Sequence, residues 1–136
     1  MPHLFVEYSA NIEERMQLDA LLDRLYEAGL ASGVFPIGGI RVRAHRVDHY
    51  RIADCAPENA FVHVTALLGH GRPLDVRRRV GEQLFEVLKT HFQELYEESP
   101  LAISFNIQEL HPELNFKHNN LHEYVARRRA AREGKE

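Results

Sequence analysis

The chain has 136 residues, 44% hydrophobic and 27% charged, with a formal net charge of -3. That length suits one domain with its own core, and the mild acidity gives no general attraction to nucleic acid or to a membrane surface. The single cysteine, Cys55, excludes an internal disulfide, which fits a reducing compartment.

No apolar run approaches the ~20 residues of a membrane span, and the start lacks the basic and apolar regions of a signal peptide. A cytoplasmic protein is expected. At the start stands Met1-Pro2. Proline has no amide N–H and suits the first position of a strand. If Met1 is trimmed, the Pro2 nitrogen becomes a secondary amine. A free α-amino group has a reference pKa of about 7.7–8.0, and burial or neighbouring cations lower it into the range of a general base. With Met1 retained it is a tertiary amide without basicity.

His3 to Tyr8 reads as a strand, rich in aromatic and β-branched residues. Asn11 and Glu14 stand three apart, like a helix-starting pair, and Leu18, Leu21, Leu22 and Leu25 keep helical spacing up to Gly29 and Gly33. Val34 to Gly39 is an apolar turn. A second strand is expected from about Ile40 to Ile52, with Ile40, Val42 and Ala44 on one face and Arg41, Arg43 and His45 on the other. Ala60 to Leu68 is a third strand, and Gly69-His70-Gly71-Arg72 is a turn. Pro73 then opens a long helix expected to reach Glu97, with Val80, Leu84, Val87, Leu88 and His91 along one face. Leu101 to Leu110 is a fourth strand, with Ile103, Phe105 and Ile107 aligned.

The order is therefore β-α-β-β-α-β. Two right-handed crossovers give an α+β fold: a four-stranded sheet with both helices on one face. Aliphatic rows on both sheet faces would call for a partner over the bare one. A single domain over residues 1–123 is expected, followed by a basic, frayed tail at 124–136.

Several segments carry a resemblance: Met1-Pro2-His3, Gly39-Ile40-Arg41-Val42-Arg43, Gly69-His70-Gly71-Arg72 and Glu109-Leu110-His111-Pro112-Glu113-Leu114-Asn115-Phe116-Lys117. In this order the chain resembles the 5-carboxymethyl-2-hydroxymuconate isomerase family of the tautomerase superfamily, from Met1 to about His122. The resemblance implies a homotrimer in which Pro2 is the catalytic base, without metal or organic cofactor. The implied activity converts the dienol 5-carboxymethyl-2-hydroxymuconate to its 2-oxo-3-ene isomer in homoprotocatechuate degradation. That substrate carries three carboxylates. Arginine, always charged and able to bind a carboxylate with two hydrogen bonds, suits it. Arg41 and Arg72 are the implied substrate ligands. Arg43 reads equally as a ligand or a surface cation, and His45 as a polar pocket or core residue. Arg77, Arg78 and Arg79, at a helix start, read as a solvated face.

Nine histidines invite a metal, but the pairs His45/His49 and His118/His122 lack a cysteine cluster or an HExxH helix, and none is expected. His91, on an apolar stripe, reads as a satisfied buried histidine. Cys55 has no visible base beside it. Other readings are a different proline-based tautomerase, such as a phenylpyruvate type, and a non-catalytic trimeric binding module. Nucleic-acid binding by the arginine-rich tail lacks interleaved aromatic residues.

Overall fold

Alternation in the first strand puts Leu4, Val6 and Tyr8 on one side and His3, Phe5 and Glu7 on the other, and only the first set is buried. The structure, a computed structural model, describes residues 2–134. Strand β1 (His3–Ser9) pairs in parallel with β2 (Arg41–Val47) and antiparallel with β3 (Ala60–Leu68). Strand β4 (Leu101–Glu109) runs parallel to β3, so the sheet order is β2-β1-β3-β4.

Two helices cover one sheet face. Helix α1 (Leu18–Ala31) buries Leu21, Leu25 and Gly29, and α2 (Leu74–His91) buries Val80, Leu84 and Leu88. Residues four apart lie on one helical face, and these stripes close on Leu4, Val6, Val62, Val64 and Ala66. Each large aliphatic side chain so buried contributes about 1.5–3 kcal/mol.

The expected apolar rows both turn to this same face. Val42 and Ala44 stand opposite Leu4 and Val6, and Ile103, Phe105 and Ile107 opposite Val62, Val64 and Ala66. They pack on the core beside Ile40. The open face instead presents a mixed surface: His3, Phe5 and Glu7 flanked by Arg41, Arg43 and His45 on one side, and by Leu67, Thr65 and His63 on the other.

Three boundaries differ from expectation. Asn11 caps no helix: its Nδ2 donates to the carbonyls of Pro57 (3.2 Å) and Asn59 (2.8 Å). A 3-10 turn covers Ala10–Arg15, and α1 begins only after Gln17, which takes a left-handed conformation (φ 48°, ψ 62°). The second strand ends at Val47. The long second helix breaks at Phe92, whose ring is buried edge-on to His91 at 5.0 Å, and a short α3 (Gln93–Glu98) follows. His91 lies at this break, its Nε2 donating to the Met16 carbonyl at 2.7 Å.

After β4 the chain crosses back to the Pro36–Gly39 turn. There Asn119 Nδ2 donates to the Gly38 carbonyl at 3.1 Å, and helix α4 (Leu121–Arg132) begins. The expected boundary at 123/124 falls inside α4. Among the described residues no helix is long and apolar enough to cross a membrane.

Candidate active site

The sheet has two ends. At one, β1 and β2 begin while β3 and β4 finish, since His3 stands opposite both Arg41 and Leu67, and Leu68 opposite Glu109. Pro2, Arg41 and the Gly69–Arg72 turn all belong to this end.

Pro2 is buried, and its carbonyl accepts the Arg41 N–H at 3.2 Å, which sets the two strands side by side. The preceding turn is tight: the Gly39 and Ile40 N–H groups both donate to the Pro36 carbonyl, at 2.9 and 3.0 Å. A Cβ on Gly39 would lie 3.3 Å from Pro2 Cδ, and one on Gly38 would collide with the His122 ring. The missing side chains let this turn press on the proline from one side and receive the C-terminal segment on the other.

Arg41 is half-buried, its Nη1 donating to the Gly39 carbonyl at 2.9 Å. Arg72, in the turn after β3, is also half-buried, and its guanidinium makes no hydrogen bond or ion pair with any described residue. The carboxylate of this end, Glu109, is engaged elsewhere. Its oxygens lie 3.7 Å from Arg77 Nε and 3.6 Å from His70 Nδ1, and one accepts the Gly71 N–H at 3.4 Å. Arg77 Nε also donates to the Arg72 carbonyl at 3.0 Å. Arg77 is thus a bridging residue, unlike the solvated helix face expected of it. Arg78 and Arg79 are exposed.

Arg43 and His45 lie farther along β2, on the open face. Arg43 Nη1 donates to His3 Nδ1 at 2.9 Å, and its guanidinium stacks 5.0 Å above the Phe5 ring. Burial first, then the Arg43 and Arg41 charges, hold the His3 pKa below its ordinary value. His3 therefore stays neutral and accepts on Nδ1. His45 is exposed opposite Glu7, its ring 6.4 Å from that of Phe5. It lies four residue steps from Arg41, about 13 Å of strand. The structure therefore brings Pro2, Arg41 and Arg72 to one end, leaves Arg43 one step along the strand and sets His45 mid-sheet. Among the described residues no group of three or more His, Cys, Asp or Glu side chains could hold a metal.

Sequence reasoning missed Glu109 and Arg77. They come from strand and helix segments far apart in the chain, and only the β3–β4 register brings them together. Asn119 and His122 were missed for the same reason. Chemically, this end carries Pro2, the Arg41 side chain and the Arg72 turn.

The family model for 5-carboxymethyl-2-hydroxymuconate isomerase matches residues 2–125. The chain is 49% identical over 122 residues to the 5-carboxymethyl-2-hydroxymuconate Delta-isomerase of Escherichia coli, covering 90% of this chain and 97% of that one. It superposes with a TM-score of 0.85 on a 5-carboxymethyl-2-hydroxymuconate isomerase from Deinococcus radiodurans R1, at 38% identity over 91% of this chain and 93% of the other. A fused 4-OT symmetric trimer, at 17% identity, a TM-score of 0.66 and coverage of 85% and 93%, shares the fold. The chain belongs to the 5-carboxymethyl-2-hydroxymuconate isomerase family.

Proposed function

We propose that Pro2, once Met1 is removed, is the general base and acid of this isomerase, and that Arg41 and Arg72 bind carboxylates of the substrate. The substrate is the dienol 5-carboxymethyl-2-hydroxymuconate, and the product is its 2-oxo-3-ene isomer. The Pro2 nitrogen takes the proton of the enol hydroxyl. The electron pair moves through the conjugated system, and the same nitrogen returns the proton to a distant carbon. Nothing is oxidised or reduced overall, and no cofactor enters. The arginine charges keep the amine unprotonated near neutrality and stabilise the dienolate.

The single observation carrying this reading is the half-buried, unpartnered guanidinium of Arg72 at the sheet end that begins with Pro2. A half-buried guanidinium with no partner among the described residues leaves its donors open to a carboxylate ligand.

The working unit in this reading is a cytoplasmic homotrimer. Its motive is the open sheet face with Phe5 and Leu67 half-covered, together with Leu114 at 67% and Phe116 at 84% exposure after β4. A neighbouring copy would cover these side chains, and Pro2 would sit near the boundary between copies.

An ultraviolet assay comparing the tricarboxylate dienol with enol-phenylpyruvate tests the reading. The dienol should be strongly preferred, and Arg41→Ala or Arg72→Ala should lower its kcat/KM by about ten- to a hundredfold, the loss of one carboxylate contact. Preference for the monocarboxylate would point to a phenylpyruvate-type tautomerase. No turnover of either by protein of verified N-terminal mass would point to a binding module.

A further inference from the structure

Arg72 is a useful ligand only while its charge is unpaired, and a carboxylate stands beside its turn. Glu109, at the end of β4, accepts the N–H of Gly71, the residue preceding Arg72. A flexible arginine next to such a carboxylate would ordinarily fold onto it. In this chain the carboxylate has a cation of its own close by. Arg77 Nε lies 3.7 Å from Glu109 Oε2, and His70 Nδ1 lies 3.6 Å from Oε1. Arg77 and Glu109 are each about three-quarters covered, with side-chain exposures of 29% and 25%. Water therefore screens this contact less than it would a surface pair. Arg77 does a second thing: it donates to the Arg72 carbonyl at 3.0 Å and so fixes the backbone from which that side chain leaves.

We propose that Arg77 is a positioning and specificity-determining residue: by occupying Glu109 and holding the Arg72 carbonyl, it keeps the Arg72 guanidinium free for a substrate carboxylate. The inference rests on the reading of Arg72 given above. Arg77 itself comes from the first turns of α2; its Nε–H donates to the turn's backbone, and its charge stands 3.7 Å from Glu109. Its effect is exerted through Arg72. The carboxylate sets the sign of the site: left uncompensated, Glu109 would both capture Arg72 and repel a polyanionic substrate, whereas a monocarboxylate would suffer less. Arg77 thus tunes the enzyme toward multiply charged substrates.

The test is a set of variants assayed on the full-length, Met1-processed enzyme with the tricarboxylate dienol. Arg77→Met should raise KM about tenfold, the factor that accompanies about 1.4 kcal/mol, and should change kcat less. Adding Glu109→Gln to Arg77→Met should bring KM back toward the parent value, because the competing charge is gone. Glu109→Gln alone keeps the shape of the side chain and should leave KM equal or lower. A merely structural clasp predicts the opposite: Glu109→Gln alone would raise KM, and the double variant would be at least as impaired as Arg77→Met. Either result overturns the proposal. Should Arg77→Met fail to fold, Glu109→Gln alone still decides through the direction of its KM change. Arg72→Ala is assayed alongside. If it leaves KM unchanged, the reading of Arg72 falls and the clasp with it. If it raises KM while Arg77→Met does not, the clasp alone is wrong.

Discussion

The two ends of the sheet begin alike and finish differently. At one, the carbonyl of Pro2, before β1, accepts the first N–H of β2, from Arg41 at 3.2 Å; at the other, the carbonyl of Pro100, before β4, accepts the first N–H of β3, from Ala60, also at 3.2 Å. The likeness is one of local geometry and not of the β-α-β repeat, which would match Pro2 with Asn59 and Arg41 with Leu101; the two bonds stand at opposite ends because β1 and β3 run antiparallel. The Pro100 end is tied off by its own polar groups. Asn11 bonds two loop carbonyls, Ser9 Oγ accepts the Phe61 N–H at 3.0 Å, Arg15 reaches Ser99 and Arg24 bonds His91. At the Pro2 end Arg72 has no side-chain partner among the described residues, and Gly39 stands where a side chain would press on the proline. Similar backbone bonds therefore stand beside polar ties between side chains and loops at one end and beside an arginine without a partner among the described residues at the other. The deeper difference is covalent: Pro100 is always an amide, whereas Pro2 needs to lose only one residue to become an amine.

Breaking that covalent difference should have the largest effect. Enzyme carrying a retained Met1 has an amide at Pro2 and should show no turnover above background, while Pro2→Ala, with a primary amine, should keep weak activity. Initial rates compared with the intact mass of each preparation check this. Normal turnover by the Met1-bearing form would end the assignment of Pro2 as base.

A smaller effect is expected where the C-terminal segment closes the Pro2 end. The Gly38→Ala methyl group would collide with the His122 ring. Overpacking of this kind costs about 1–3 kcal/mol, so the melting temperature should fall, and adding His122→Ala should restore it. An unchanged melting temperature in Gly38→Ala would mean that the segment does not close over this turn in solution.

The sequence made the alternation legible, and with it the four strands, the two main helices and the duplicated order. Three things escaped it, each for a physical reason. Alternation shows that Ile40, Val42 and Ala44 share a face and that Ile103, Phe105 and Ile107 share a face. Only register shows that both rows turn toward the helices. The breaks at Gln17 and Phe92 follow from tertiary contacts of His91 and Phe92, which override helical periodicity. At the site, Pro2, Arg41 and Arg72 came through resemblance, whereas the Glu109–Arg77 contact has no local spacing to betray it.

The closed end offers the subtlest test. His91 sits between two fixed partners: Nε2 donates to the Met16 carbonyl at 2.7 Å, so Nδ1 must accept from Arg24, also at 2.7 Å. Protonating Nδ1 would turn that hydrogen bond into a contact between two cations. Burial, chiefly, together with the Arg24 charge outweighs the Met16 carbonyl and lowers the His91 pKa from 6.5. Arg15, Glu94 and Glu98 also line this cleft. A histidine whose folded pKa is depressed binds fewer protons folded than unfolded, so stability rises with pH through that window. The contribution of neutral His91 is complete above about pH 6.5, its unfolded value, and is lost as pH falls toward the folded pKa. His3, depressed in the same direction, adds a loss of the same sign at the other end. His91→Gln keeps a donor for Met16 and an acceptor for Arg24 without titrating. Urea midpoints measured between pH 7.5 and 5.5 should therefore fall less steeply in His91→Gln than in the parent chain. Equal slopes would show that the Arg24–His91–Met16 bridge does not hold in solution. A steeper fall in the variant would mean that protonated His91 is welcomed by Glu94 and Glu98, reversing the assigned sign.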